Sequence, residues 1–292
     1  MSPLLTFHTH AKINLYLDVL DRRDDGFNNI ETIFQTVSLS DRLTFAPADA
    51  LTLDCDHAAL AAEPDNLVLK AGRALLARAG ISSGAKITLQ KRIPIAAGLA
   101  GGSGDAAAAL TGLNALWSLG YDDATLAQIA ATLGSDIPYC LRGGTALATG
   151  RGEVITPLPE LPRTWLVLVH PLIGVSAAWV YRHPKLGRST ETRVDGQTPQ
   201  FTRALAALAA GNLAEVIFNR MEGVVFAEHP QLATWKERLL ALGCTAAAMS
   251  GSGSTLFGLC SGEAEARAIA ADFREAPVTV VRTVGQGITP GN

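Results

Sequence analysis

Between Gly98 and Gly104 the chain reads Gly-Leu-Ala-Gly-Gly-Ser-Gly, followed by Asp105 and four consecutive alanines, Ala106–Ala109. Glycines allow backbone angles that other residues resist and let an anion approach the main chain closely. A helix that starts at such a stretch presents unsatisfied N–H groups and the positive end of its dipole. The preceding segment "AKITLQ" alternates like a strand, so strand, glycine loop and helix follow in the order of a phosphate cradle. Ser103 is the one hydroxyl in the loop and could bond a phosphate oxygen or a metal ligand. A glycine-rich turn ahead of a helix kept slim by alanines fits the same letters, and the loop by itself does not separate the two.

Two better-known designs are excluded, and a third fits poorly. The loop does not end in Gly-Lys-Ser/Thr, so it is not a P-loop. Asp105 stands where a nucleophile elbow needs its second glycine. Asp122 and Asp123 lie about 20 residues on, but after a helix rather than at the end of a second strand, which argues against a Rossmann dinucleotide fingerprint.

The chain has 292 residues, enough for two domains, with 48% hydrophobic and 17% charged residues. Its net charge of −3 and lack of a basic tract exclude nucleic acid as the main partner. The four cysteines, at 55, 140, 244 and 260, show no CxxC spacing, which argues against zinc or a disulfide framework and for a reducing, cytoplasmic setting. The N-terminus lacks the pattern of a signal peptide, and "WLVLV" at 165–169 is too short to cross a bilayer, so no membrane association is expected. His8 and His10 sit two apart with no carboxylate partner, a poor metal pair.

The elements that would position the loop alternate between the two periods. "AKINLYLDVL", "IETIFQTVSL", "DRLTFAPA", "LTLDCD" and "AKITLQKRIP" read as strands. "NLVLKAGRALLARAG" has helical spacing and stops at Gly80; "DAAAALTGLNALWSLG" stops at Gly120; "DDATLAQIAATLG" starts at Asp122 or Asp123. Prolines 157, 159 and 162 mark a linker. Beyond it come the strand "TWLVLVHP", a helical "SAAWVYRH", an irregular polar stretch at 185–200, helices over "FTRALAALAAGNLAEVIFN" and "HPQLATWKERLLALG", the strand-loop-strand "CTAAAMSGSGSTLFGLCS", a helix over "EAEARAIAADFRE" and a last strand "PVTVVRTV". Strands before and between helices, with a proline-rich middle, suggest two layered units of helix and sheet.

Four stretches in this order, "AKINLYL" (11–17), "PIAAGLAGGSGDAAAAL" (94–110), "GSDIPYCLRGGTALATGRGE" (134–153) and "MSGSGSTLFGL" (249–259), resemble the GHMP small-molecule kinases. The resemblance covers nearly the whole chain. It implies a two-domain α+β architecture with a ribosomal-protein-S5-like N-terminal domain over residues 1–158 and a ferredoxin-like C-terminal domain over 159–292. It also implies transfer of a phosphoryl group from ATP, with Mg2+, to the hydroxyl of a small-molecule substrate. The stretches are most similar to members acting on a cytidine diphosphate sugar alcohol. Homoserine, mevalonate or sugar kinases of the same family, and a non-catalytic nucleotide-binding relative, are the alternatives.

Taken alone, Lys12 reads as a strand-edge charge and Asp136, ahead of Pro138, as a helix N-cap. The resemblance instead assigns Lys12 and Asp136 to catalysis. It assigns Pro94, Ile95, Ala96, Ala97, Gly98, Leu99, Ala100, Gly101, Gly102, Ser103 and Gly104 to the ATP loop, with Ser103 also a metal contact, and Asn66 and Lys91 to the adenine pocket. Asn14 falls beside the acceptor site, and Phe27 and Tyr181 would hold the cytosine ring. The chain departs from the family pattern at three places: "GFNN" stands for Gly-Tyr-His and an acid, so that Asn28 replaces a histidine, and Ala100 and Gly104 replace a glycine and a serine. The expected assembly is a monomer or a homodimer.

Overall fold

The computed structural model describes residues 4–57, 60 and 65–291. Two long antiparallel strands, β1 (Leu5–Arg22) and β2 (Asn28–Ala48), form its spine. The two strands expected over residues 30–48 are one. Asp41, which reads as a break, is fully buried inside β2 and makes its hydrogen bonds to the neighbouring segment 91–93. The β1–β2 turn closes through Arg23 N–H donating to Phe27 O, with Gly26 at φ +84°.

β3 (Leu51–Cys55) is followed by α1 (Leu67–Ala79), which Asn66 caps by accepting from Val68 N–H and which Gly80 ends in the left-handed region. β4 (Gly84–Gln90) leads to α2 (Gly101–Leu116); α3 (Asp123–Leu133) is capped by Asp122. α4 (Ile137–Arg142) precedes the hairpin β5 (Thr145–Thr149) and β6 (Val154–Pro157). Ala106–Ala109 of α2 are all buried, and a Cβ on its Gly112 would lie 2.3 Å from the Phe45 ring. Small residues are what let this helix lie so close to the sheet.

Past the prolines come β7 (Trp165–Val169), α5 (Ala177–Arg182), α6 (Pro199–Ala209), α7 (Leu213–Val216) and β8 (Phe218–Asn219). The single helix expected over 201–219 is therefore broken, with Gly211 at φ +79° between the two pieces. α8 (Glu222–Glu228), α9 (Pro230–Ala241), β9 (Ala246–Met249), β10 (Leu256–Cys260), α10 (Glu263–Asp272), β11 (Val278–Arg282) and β12 (Ile288–Pro290) complete the chain.

The result is an α+β fold with two sheets. The larger has the order β12-β1-β2-β4-β3, with β5 also on β2, β6 on β5 and β8 on β1; the smaller is β11-β7-β10-β9. Helices α1–α4 share a core with Phe34, Phe45 and Ile87 of the large sheet. Ala11, Ile13 and Leu15 of β1 instead pack with Leu166, Leu168 and Phe257 of the small sheet. β7 follows the proline-rich stretch and opens onto the smaller sheet, while β8 and β12 return to pair with β1, so sequence beyond residue 158 completes the first sheet. Among the described residues no helix is long and apolar enough to cross a membrane, and all four cysteines are buried and free.

Candidate active site

The glycine stretch is not only a loop before a helix. α2 begins at Gly101, four residues earlier than the alanine run suggests, so Gly101, Gly102, Ser103 and Gly104 form its first turn. Ala96 and Ala100 are left-handed, at φ +52° and +55°, and Gly98 lies at +77°. A Cβ on Gly98 would meet Ser250 O at 2.0 Å, because the stretch 250–254 packs directly against it. Ser250 Oγ donates to Gly98 O at 2.9 Å, and the backbone N–H of Lys12 donates to Leu99 O at 3.1 Å. The space above Gly102 is open, its nearest neighbour being Leu67 at 3.9 Å. A turn of this kind at a helix start has the geometry to take an anion.

Behind the loop lies a buried charge cluster. Lys91 Nζ donates to Asp41 Oδ2 at 2.5 Å and to Asp105 Oδ2 at 2.8 Å, all three side chains being at least nine-tenths buried. Asp41 Oδ1 also accepts from the backbone N–H groups of Arg92 (2.5 Å) and Ile93 (2.8 Å), fixing the chain as it enters the loop. Burial, followed by the neighbouring Asp41, pushes the Asp105 carboxyl up to about 8 against the pull of Lys91, and its Oδ1 has no partner. Asp41 collects three donors, whereas Asp105 is held toward its protonated form.

Two hollows meet at the loop. The smaller, about 270 Å³, is lined by Asn66, Leu67, Lys91, Asp105 and residues 94–103. The larger, about 730 Å³, runs from Gly98, Ala100 and Ser103 past Lys12, Asn14 and Asp136 to Phe27, Asn28 and Tyr181. Gly98, Ala100 and Ser103 belong to both, so a ligand seated in one can reach the other past the helix start.

Lys12 stands on β1 with its side chain only 6% exposed. Its Nζ donates to Asn14 Oδ1 at 2.7 Å and lies 3.8 Å from Asp136 Oδ2 and 5.1 Å from the centre of the Phe34 ring. Asn14 is fixed in turn, Nδ2 donating to Thr32 Oγ1 at 2.8 Å. Asp136 does sit at the N-terminus of α4, yet its side chain makes no capping hydrogen bond. The carboxylate faces Lys12 and the cleft instead, about a third exposed.

At the far end Phe27 is 52% exposed, with the Arg151 guanidinium 4.8 Å from its ring centre. Tyr181 is half-buried, and burial, then the Asp136 charge, holds its phenol above the ordinary range. Asn28 is buried, its Oδ1 accepting from Arg188.

The expected residues thus divide into two groups and one exception. Lys12, Asn14, Phe27, Asn28, Ser103, Asp136 and Tyr181 share the large cleft, and Asn66, Lys91 and residues 94–102 line the small hollow. Gly104 lines neither; it faces Thr9, whose Oγ1 would be 2.6 Å from an added Cβ. The Asn66 side chain is engaged as a helix cap and the Lys91 ammonium in the acid cluster, so both shape the hollow from within the fold. Sequence reasoning missed Asp41, Asp105 and the cleft arginines Arg22, Arg151 and Arg182. Asp105, directly after the loop and ahead of four alanines, was the one legible signal, since a carboxylate on an otherwise apolar helix face needs a buried partner.

Residues 66–144 match the family model described as GHMP kinases N terminal domain, and residues 201–279 the model described as GHMP kinases C terminal. The chain is 44% identical over 283 residues to the 4-diphosphocytidyl-2-C-methyl-D-erythritol kinase of Moorella thermoacetica, covering 95% of this chain and 98% of that one. A crystal structure of 4-(cytidine 5'-diphospho)-2C-methyl-D-erythritol kinase superimposes with a TM-score of 0.80 at 36% identity, over 96% of this chain and 99% of that one. The homoserine kinase of Cytophaga hutchinsonii shares the fold, with a TM-score of 0.75 at 18% identity over 99% and 98% of the two chains. With the loop, the buried lysine and the facing aspartate in one cleft, the chain belongs to the GHMP kinase family, among its 4-diphosphocytidyl-2-C-methyl-D-erythritol kinases.

Proposed function

We propose that the protein transfers the γ-phosphoryl group of ATP to the 2-hydroxyl of 4-diphosphocytidyl-2-C-methyl-D-erythritol, a step of the non-mevalonate route to isoprenoids. It is an ATP-dependent small-molecule kinase. The observation that carries the site assignment is the Asp136 carboxylate, left free of its helix, 3.8 Å from a buried lysine and in the cleft that the loop opens into.

Phosphoryl transfer asks the protein mainly for positioning and charge stabilisation. The nucleotide's base occupies the small hollow against Asn66, Leu67 and Pro94, and its phosphates lie on the amides of residues 101–103. Asp136 accepts the proton of the attacking hydroxyl. Lys12, held by Asn14, offsets the negative charge that builds between donor and acceptor. Among the described residues no group of three His, Cys, Asp or Glu side chains could hold a metal alone. A magnesium ion on nucleotide phosphates needs only one or two protein oxygens, which Ser103, where the two hollows meet, and Asp136, in the large cleft, can supply. Bound there, it would neutralise phosphate charge. Phe27 and Tyr181 hold the cytosine at the other end. All these residues come from one chain, so the reaction needs no second copy.

A coupled assay of ADP release against a panel of alcohols tests the substrate. Turnover with the cytidylyl compound, and none with homoserine, mevalonate or galactose, is expected. Turnover with one of the others alone would reassign the enzyme within its family.

A further inference from the structure

The departure at residue 28 carries an inference about how the base is read. Asn28 opens β2 opposite Arg22, is 7% exposed and lines the large cleft. Arg188 reaches it from the irregular stretch after α5, which is tied to β1 by Ser189 N–H donating to Val19 O at 2.8 Å. The guanidinium donates to Asn28 Oδ1 through Nε at 3.4 Å and Nη2 at 3.3 Å. A guanidinium has donors and no acceptor, so only the amide oxygen can face it. The amide is therefore pinned in one of its two orientations, with Nδ2 turned away from Arg188. Among the described residues Nδ2 has no hydrogen-bond partner, and it is not one of the buried orphan atoms, so it opens onto the cleft.

We propose that Arg188 is a positioning residue that fixes the Asn28 amide as a hydrogen-bond donor, and that this donor selects cytosine over uracil. The inference rests on the reading above that a cytidine base occupies this end of the cleft. Cytosine presents an acceptor at N3 beside its exocyclic amine, and an amide N–H placed at that edge pairs with it. Uracil carries a proton at N3, so a donor fixed there meets another donor. Unpinned, the amide can turn its oxygen to uracil N3–H and the discrimination falls. An arginine supplied from a different part of the chain thus lets a side chain with two interchangeable ends act as one with a fixed sense.

The test is titration calorimetry of the full chain with CDP and with UDP, for the parent protein and for Arg188→Ala, Arg188→Lys and Asn28→Asp. One hydrogen bond of this kind is worth about tenfold in affinity. The parent is expected to favour CDP. Arg188→Ala should narrow the CDP/UDP ratio about tenfold and raise KM for the cytidylyl substrate more than it lowers kcat, and Arg188→Lys, still a pure donor, should restore part of the ratio. Asn28→Asp, which offers only acceptors, should shift preference toward UDP. Arg188 is exposed, so its removal leaves the fold intact. A parent-like ratio in Arg188→Ala, or retained CDP preference in Asn28→Asp, overturns the inference alone. A parent protein that does not distinguish CDP from UDP overturns the cytidine reading as well.

Discussion

Asn substitutions at the two aspartates of the buried cluster should have sharply different effects. Asp41 accepts three hydrogen bonds, from Lys91 Nζ, Arg92 N–H and Ile93 N–H. An asparagine there can keep its oxygen on the backbone pair only by turning its NH2 toward the ammonium. That sets a donor against the ammonium and removes one of its two buried carboxylate partners, a loss of about 3–5 kcal/mol. For a chain of this size that is on the order of 10 °C in Tm. The Asp105 carboxyl is pushed up to about 8, so Asn imitates its neutral form and still accepts from Lys91. Asp105→Asn should therefore cost less than about 1 kcal/mol at pH 7, roughly 3 °C. The pH dependence follows from the raised value. A carboxyl whose folded pKa is raised contributes stability that is complete below its ordinary pKa and is lost as pH rises through about 8. The variant lacks this loss, so its Tm relative to the parent should climb by several degrees between pH 5 and pH 9. Calorimetric melts of both variants at pH 5, 7 and 9 read all of this. Equal damage from the two substitutions, or a pH-independent difference between Asp105→Asn and the parent, would refute the assignment of charges. Because Asp41 anchors the entry to the glycine loop, its variant should also raise KM for ATP.

The loop and the base site give further expectations. Phe27→Ala or Tyr181→Ala should weaken binding of a cytidine nucleotide by about 1–3 kcal/mol, by calorimetry, the usual worth of an aromatic platform for a base. Gly104→Ser, which restores the family residue, should destabilise by about 1–3 kcal/mol because its Cβ would press on Thr9 Oγ1 at 2.6 Å, and adding Thr9→Ala should recover most of that in a thermal melt. Ala100→Gly removes a side chain from the left-handed region, at φ +55°, and should leave Tm unchanged or raise it slightly with no loss of ATP affinity.

Much of this architecture could be read from the letters. Five consecutive apolar residues at 165–169 belong to a strand buried on both faces, Gly80 ends α1 in the conformation glycine favours, and Asp122 rather than Asp123 caps α3. What escaped depended on distant partners. Asp41 looks like a strand break until Lys91 and the amides of 92 and 93 arrive to bury it. β8 and β12, two and three residues long, carry too little alternation to be seen and exist because β1 offers an edge. The same limit applies to the site. Residue type and order nominated Lys12, Asp136 and the loop, but nothing local shows that Asp136 declines its capping role or that Asn28 faces Arg188. Lys91 was nominated for the nucleotide pocket, and only its two carboxylate neighbours show that its charge is spent inside the protein.

The most direct test of the central claim is phosphorus NMR of the reaction of the purified chain with ATP, Mg2+ and 4-diphosphocytidyl-2-C-methyl-D-erythritol, run beside Asp136→Asn. The parent should form a new phosphomonoester on the 2-hydroxyl together with ADP. Asp136→Asn should bind ATP with near-parent affinity in calorimetry and form product at least a hundredfold more slowly, the typical worth of a general base. Product at the parent rate from Asp136→Asn, or no phosphomonoester from the parent protein, would contradict the account.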